Sequence, residues 1–330
     1  MILAGDVGGT KTRLALVRAG AGPPALVSES TFPSRDYPGI EPIVREFVSA
    51  HPEPVAAACL GVPGPVRDGR CLTTTLAWEV DARDLGRVLN LPAVDLINDL
   101  EASAHGIAGL APKDLLLVYP GSPGAAGNAA LISPGTGLGE AGLFWDGRRH
   151  RPFACEGGHA SFAPRGDLQI DLLRYLYRRF DHVSWERIVS GPGLVSLYRF
   201  LRDTGRGEEP EWLAEEMGRD DPAAAISAAA LEGRSVLCER ALELFVELLA
   251  AEAGNLALKV MATGGVYLGG GIVPRIAAWL TRPIFLQAFT AAGRMRPLLE
   301  AMPVRAILNQ KVAILGAALY TLRDRGPVIP

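Results

Sequence analysis

Cysteine is scarce and scattered in this 330-residue chain: Cys59, Cys71, Cys155 and Cys238 lie far apart, with no C-x-x-C pair. That excludes a disulfide frame and a thiolate zinc site, and it reads as reduced core thiols of a cytoplasmic protein. Charge of one sign is not in excess either. Lys and Arg number 33 against 36 Asp and Glu, and no basic run is long enough for a nucleic-acid arm, so nucleic acid is disfavoured as a partner. No apolar stretch is long enough for a membrane span: LELFVELLAAEAGNLALKV is interrupted by Glu247, Glu252 and Asn255. The start of the chain lacks the basic-then-apolar layout of a signal peptide, and it leaves no room for a helix-turn-helix ahead of its first hairpin. A DNA-binding repressor is therefore poorly supported. With 48% hydrophobic and 21% charged residues the chain is globular. Its length exceeds that at which single cores stop growing, so two domains are expected.

Glycine, by contrast, is abundant, with 38 residues, and it clusters. GDVGGTKTRLALV, from Gly5, resembles a Walker A loop but carries Thr10 where that pattern needs glycine. The alternation of TRLALV has the period of a strand, so the unit predicts strand, glycine turn, strand. Gly8 and Gly9 let backbone N–H groups approach a phosphate, and Thr10 adds a hydroxyl. The other reading is a plain type I′ hairpin, for which Gly-Gly is a common sequence. SPGTGLGEAGLFWDG repeats the device with Gly135, Thr136, Gly137 and Gly139. In VYLGGGIVPRIAAWL a strand meets Gly269, Gly270 and Gly271 before a helix expected near Pro274. Three such turns suit a nucleotide held between two domains, the first two cradling phosphates and the third the adenosine end.

Between the first two clusters, helical and strand periods alternate: residues 41–50, 81–90 and 100–110 read as helices and 55–63 and 93–99 as strands, an α/β pattern. PGSPGAAGN is a surface loop. The later segments 167–180, 191–201, 221–233 and 235–260 all carry helical periodicity, so the second domain is expected to be larger and more helical. Asp99 ends a strand where a helix begins. It suits either a base for a hydroxyl proton or an ordinary N-cap, with Asn98 beside it as an amide donor and acceptor. CEGGHASF sets Glu156 and His159 around a Gly pair, where a carboxylate and an imidazole can bind adjacent hydroxyls; the alternative is an exposed polar turn. Glu186 has no local structural duty, because Arg187 stands where a capping box at Ser184 needs an acid.

Taken together, GDVGGTKTRLALV, LINDLEA, PGTGLG, EGGHASFAP, ERIVSGPGLVSLYR, AGNLAL and GGVYLGGGIVPR occur in an order that resembles the bacterial ATP-dependent glucokinases, in the superfamily of sugar kinases, actin and Hsp70. The resemblance covers nearly the whole chain. It implies a two-domain actin-like (ribonuclease H-like) α/β fold with a cleft between a small α/β domain, residues 1–110 plus 304–330, and a larger α+β domain, residues 111–303. Helix KVAILGAALYTLR would complete the small domain. By the same resemblance Gly5, Asp6, Val7, Gly8, Gly9 and Thr10 form the first phosphate loop, residues 135–139 the second, and Gly269 to Gly271 the adenosine motif. Asn98, Asp99, Glu156, His159 and Glu186 fall on glucose-binding positions, with Asp99 the catalytic base. The implied cofactors are ATP and Mg²⁺, with no direct protein ligand to the metal and Asp6 as an outer-shell partner. A cytoplasmic homodimer is implied, with no membrane partner. Lys11 follows the related repressor, open reading frame and kinase (ROK) sugar kinases, but their Cys-rich zinc motif is absent, since no Cys lies between Cys155 and Cys238. The alternatives are a kinase for mannose or N-acetylmannosamine, and a sugar sensor without turnover. Retention of Asp99 beside two glycine loops argues against the sensor.

Overall fold

A computed structural model describes residues 1–20, 24–73, 76–219 and 221–322. Two compact units emerge, Met1–Pro112 with the segment from Asn309 onward, and Lys113–Leu308. Along the first run β1 (Ile2–Val7), β2 (Lys11–Arg18), β3 (Ala25–Pro33) and helix α1 (Ile40–Ala50) come first. Then come β4 (Ala57–Val62), the short ribbon β5 (Arg70–Leu72) and β6 (Glu79–Asp81), helix α2 (Ala82–Leu89), β7 (Asp95–Asn98) and helix α3 (Asp99–Gly106). The second unit holds β8 (Leu115–Tyr119), β9 (Ala129–Pro134), β10 (Leu138–Trp145) and β11 (His150–Cys155). Helices α4 (Gly166–Leu176), α5 (Gly191–Asp203), α6 (Glu211–Arg219), α7 (Pro222–Leu231) and α8 (Val236–Val260) follow. It closes with β12 (Gly265–Leu268), α9 (Ala277–Leu280), α10 (Pro283–Phe289), α11 (Arg296–Glu300) and β13 (Val304–Ile307). The last helix, α12 (Val312–Leu322), returns to the first unit.

The two large sheets share one topology. In the first the order is β3-β2-β1-β4-β7, antiparallel through β1 and then parallel. In the second it is β11-β10-β9-β12-β13, with the same change of sense at β9, and β8 added antiparallel on the outer edge. This duplicated sheet is the ribonuclease H-like arrangement of the actin-like fold, and it explains why the opening glycine hairpin recurs at residues 135–137. Each central parallel strand is covered on both faces, so Ala57–Val62 is buried throughout and shows no alternation.

Residues 304–308, grouped above with the first domain, lie in the second unit because β13 pairs with both β12 and β8. Residues 323–330 of that grouping, including the last residue of KVAILGAALYTLR, lie outside the described residues. In the first unit α3 and α12 pack backbone to backbone. A Cβ on Gly106 would lie 2.8 Å from the carbonyl carbon of Val312, and one on Gly316 would lie 2.6 Å from the Gly106 nitrogen. No described helix is long and apolar enough to cross a membrane.

Candidate active site

The first unit positions its candidate residues around the ends of β1, β4 and β7. Between the paired residues Val7 and Thr12, the backbone N–H of Gly8 donates to the Lys11 carbonyl at 3.0 Å. The described glycines with positive φ include neither Gly8 nor Gly9. A type I′ turn needs positive φ at both central residues, so the plain-hairpin reading fails and the loop has another geometry. The connection is held from outside by Ser34, whose Oγ donates to the Gly8 carbonyl at 2.7 Å and lies 3.0 Å from Thr12 Oγ1. The Ser34 N–H donates to the Thr10 carbonyl at 3.0 Å. The sequence reading missed Ser34; its contacts with Thr12 and Gly8 lie 22 and 26 residues away along the chain, outside any local motif. Asp6 faces Arg13 across the β1–β2 pair. Burial raises the Asp6 carboxyl above its usual range, with the Arg13 guanidinium opposing.

Asp99 is the first residue of α3, and the cap is supplied by Asn98, not by Asp99. Asn98 Oδ1 accepts from the N–H groups of Leu100 at 2.9 Å and Glu101 at 3.3 Å, and its Nδ2 donates to the Gly64 carbonyl at 3.3 Å. Asp99 Oδ1 also accepts from Leu100 N–H at 2.8 Å. A carboxylate in this first turn is stabilised as the anion by the helix dipole. Gly61 in β4 makes the approach close: a Cβ there would lie 3.3 Å from Asp99 Cα and 3.0 Å from Ala102 Cβ.

In the second unit three of the sequence-picked segments converge on the start of β10. The second glycine turn is closed by Gly135 N–H donating to the Gly137 carbonyl at 2.8 Å. Glu186, in a single 3-10 turn, sends its carboxylate to the end of this glycine turn, where Oε2 accepts from Leu138 N–H at 3.0 Å. Glu186 thus has a structural duty after all. Its partner is 48 residues away, so local sequence could not show it. The turn Gly157–His159 lies over the same strand, with Gly158 against the Leu138 backbone, where a Cβ would come within 3.0 Å of the carbonyl carbon. Beyond it, Phe162 N–H donates to the Val183 carbonyl at 2.9 Å and Trp185 N–H to the Ala160 carbonyl at 3.0 Å. The segment bearing Glu156 and His159 therefore runs beside the one bearing Glu186. Glu156 Oε2 and His159 Nε2 stand 3.9 Å apart, both side chains largely exposed.

Gly269 and Gly270 rest on the end of β9, just before the second glycine turn. Gly269 N–H donates to the Ile132 carbonyl at 2.8 Å. Gly270 has φ of 83°, and a Cβ there would meet Ser133 Oγ at 2.9 Å. No helix starts near Pro274: residues 270–275 are turns, and α9 begins only at Ala277 and spans 4 residues. The expected helix N-terminus for the third cluster is thereby corrected, since the intervening turns bond locally, as in Arg275 N–H to the Ile272 carbonyl at 3.0 Å.

The Glucokinase family model matches residues 3–324. The glucokinase of Nostoc sp. is 42% identical over 342 residues, covering 98% of this chain and 99% of its own length. Among solved structures, a glucokinase from an Antarctic psychrotroph superposes with a TM-score of 0.82 at 31% identity, covering 97% of this chain and 98% of that one. A ROK-family glucokinase from Streptomyces griseus, solved in complex with glucose and AMPPNP, gives a TM-score of 0.68 at 23% identity over 98% of this chain and 99% of that one, a likeness of fold.

Proposed function

The chain belongs to the glucokinase family, and from that premise we propose that it transfers the γ-phosphoryl group of ATP to the 6-hydroxyl of D-glucose, with Asp99 as general base. The observation that carries this reading is the position of Asp99 on the first turn of α3, behind an asparagine that does the capping. The O6–H proton passes to the Asp99 carboxylate, the O6–P bond forms, the P–O bond to the β-phosphate breaks, and ADP and glucose 6-phosphate leave.

Phosphoryl transfer gives the protein little covalent chemistry, so positioning and charge stabilisation dominate. Gly8, Gly9 and Thr10 in the first turn and Gly135, Thr136 and Gly137 in the second would offer backbone donors to the phosphates. Gly269 and Gly270 would take the adenosine end. The sugar hydroxyls would be read by Asn98, Glu156, His159 and Glu186. A site built from such polar groups rejects an analogue lacking one hydroxyl, because its own groups are then left unpaired.

Mg²⁺ would travel with the nucleotide and neutralise phosphate charge. Asp6 fits it as an outer-shell partner: burial disfavours this carboxylate's anion, and a nearby dication restores it. A cytoplasmic homodimer acting in glycolysis is part of the same proposal, supported by the family resemblance.

The test is ADP release from MgATP with glucose, mannose, fructose and N-acetylmannosamine, for wild type and Asp99→Asn. Glucose-dependent turnover that falls by about 10³-fold or more in the variant is expected, in line with the loss of a general base and its orientation. Turnover fastest with another hexose, or an Asp99→Asn variant as fast as wild type, overturns the assignment.

A further inference from the structure

Beneath the turn that carries Glu156 and His159 lies a pair of carboxyls with no counterpart in the mechanism above. Glu140 on β10 is 1% exposed and Glu252 on α8 is 0% exposed. With both ionised, neither oxygen of Glu140 has a hydrogen-bond donor. The two are close enough that the Glu252 charge, after burial itself, acts to raise the Glu140 carboxyl. Two buried carboxylates in contact repel and leave acceptors facing acceptors, whereas one proton turns the contact into a charge-assisted hydrogen bond.

The remaining partners decide which carboxyl holds the charge. Glu252 Oε2 accepts from Asn255 Nδ2 at 2.8 Å, and Lys259 Nζ stands 3.4 Å from Oε1. Glu140 has no such donors, so the proton resides on Glu140 and the charge on Glu252.

Glu140 meets this turn at Gly157, and Glu252 is linked through Asn255 to Arg165, six residues beyond His159. A Cβ on Gly157 would be driven into the Glu140 carboxyl, with Cδ only 2.7 Å away, so the turn is seated directly on that group. Arg165 Nη2 donates to Asn255 Oδ1 at 3.2 Å, and Asn255 in turn holds Glu252. Arg165 also donates through Nη1 to the Ala288 carbonyl at 3.3 Å.

We propose that Glu140 is a positioning residue for sugar binding: hydrogen-bonded to Glu252, it forms the seat that holds Gly157 and so aims Glu156 and His159. The idea rests on the reading of those two residues as sugar ligands. Burial, reinforced by the Glu252 charge and opposed by Lys259, pushes the Glu140 carboxyl up to about 8. The titratable and charged groups around it are Glu252 and Lys259 from α8, Cys155 from the paired position on β11, and Glu156 at the head of the turn. Cys155 is exposed as a residue, but its sulfur, donating to the Glu140 carbonyl at 3.4 Å, is partly desolvated, which raises the thiol above its usual value. Above about pH 8 Glu140 therefore ionises against Glu252, and the seat comes apart by like-charge repulsion.

The experiment measures KM for glucose and for ATP, together with hydrogen exchange of residues 156–160 corrected for its intrinsic pH dependence, between pH 6.5 and 9.5. Wild type is expected to lose amide protection in this turn and to raise its glucose KM about tenfold across pH 8, with little change in ATP KM, because a displacement near 1 Å is enough for such an effect. Glu140→Gln keeps a neutral hydrogen-bonding group and should stay flat in both readouts, within about twofold of wild type at pH 7. Glu140→Ala should show the raised glucose KM and fast exchange at every pH. Cys155→Ser should keep the alkaline limb. Turn protection that is independent of pH in wild type, or an alkaline limb that survives in Glu140→Gln, overturns the proposal. The exchange readout needs no turnover. A protein that fails to phosphorylate glucose yet shows pH-dependent protection abolished by Glu140→Gln would refute the assigned activity alone.

Discussion

Substituting Gly316 by Ala sets two known effects against each other, and the structure gives the sign. In a helix interior, Ala is favoured over Gly by about 1 kcal/mol. Against that, the new Cβ would sit 2.6 Å from the Gly106 nitrogen and 2.7 Å from the Ala102 carbonyl carbon, with the Ala102 oxygen closer still. All three are backbone atoms of α3, so no rotamer change relieves the contact, and α12 must move away by roughly 1 Å. Moving it opens the seam lined by the buried Ala102, Ala313 and Ala317. Overpacking costs typically 1–3 kcal/mol, and a contact with rigid backbone belongs at the upper end, about 3 kcal/mol; less the helix gain of about 1 kcal/mol, the net effect is destabilising by about 2 kcal/mol. With a urea slope near 2 kcal/mol per molar, the midpoint of the first unit should fall by about 1 M. Activity should fall with it, because α3 carries Asp99 on its first turn. Gly106→Ala strikes the same seam from the other side, at 2.8 Å from the Val312 carbonyl carbon and Cγ2. The double variant should therefore lose less than the sum of the singles, since helices already parted have room for a second methyl. Urea unfolding followed by circular dichroism tests this; a Gly316→Ala midpoint equal to or above wild type would sink the packing argument.

Three further outcomes follow from the same geometry. Ser34→Ala removes the hydroxyl that holds the Gly8 carbonyl and meets Thr12 Oγ1; leaving buried partners unsatisfied costs about 1–3 kcal/mol, and steady-state kinetics should show it mainly as a raised KM for ATP. Glu186→Ala should lower kcat/KM for glucose by about tenfold or more beyond any loss of stability, whereas Glu186→Gln, which retains an acceptor for the Leu138 N–H, should recover the stability but not the activity; equal kinetics of the two variants would contradict a sugar contact. Stability should fall as pH rises from about 4.5 to about 8, because folded Glu140 keeps a proton that the unfolded chain has released, so unfolding releases that proton. From 4.5 in the unfolded chain to about 8 when folded, the loss is at most about 5 kcal/mol. Urea midpoints of wild type should thus drop between pH 5 and 8.5 by more than those of Glu140→Gln, and parallel profiles would refute the buried-acid assignment.

The parts of this architecture legible in the sequence are those written in short-range pattern. The first two glycine turns stand out because each separates two strand-like runs, and α1, α2, α5, α7 and α8 follow from their helical periodicity. Three things stayed hidden because tertiary pairing and packing, not local pattern, produce them. Strands β3 and β11 sit at sheet edges, half-exposed and weakly patterned, and only pairing with β2 and β10 makes them strands. The helix expected after Gly269 to Gly271 is postponed because the glycines must first pack on the end of β9. Glu140 reads in isolation as a charged residue in a strand, a feature that normally faces solvent. Only the fold reveals that a side chain at position 157 would meet that carboxyl, and that the neighbouring Glu252 is held by Lys259 and Asn255, which leaves Glu140 as the carboxyl to keep a proton. A Gly-Gly pair that looks from sequence like freedom to turn is, at its first residue, a steric demand made by a buried acid, which is why the same stretch reads as a polar turn while concealing what holds it in place.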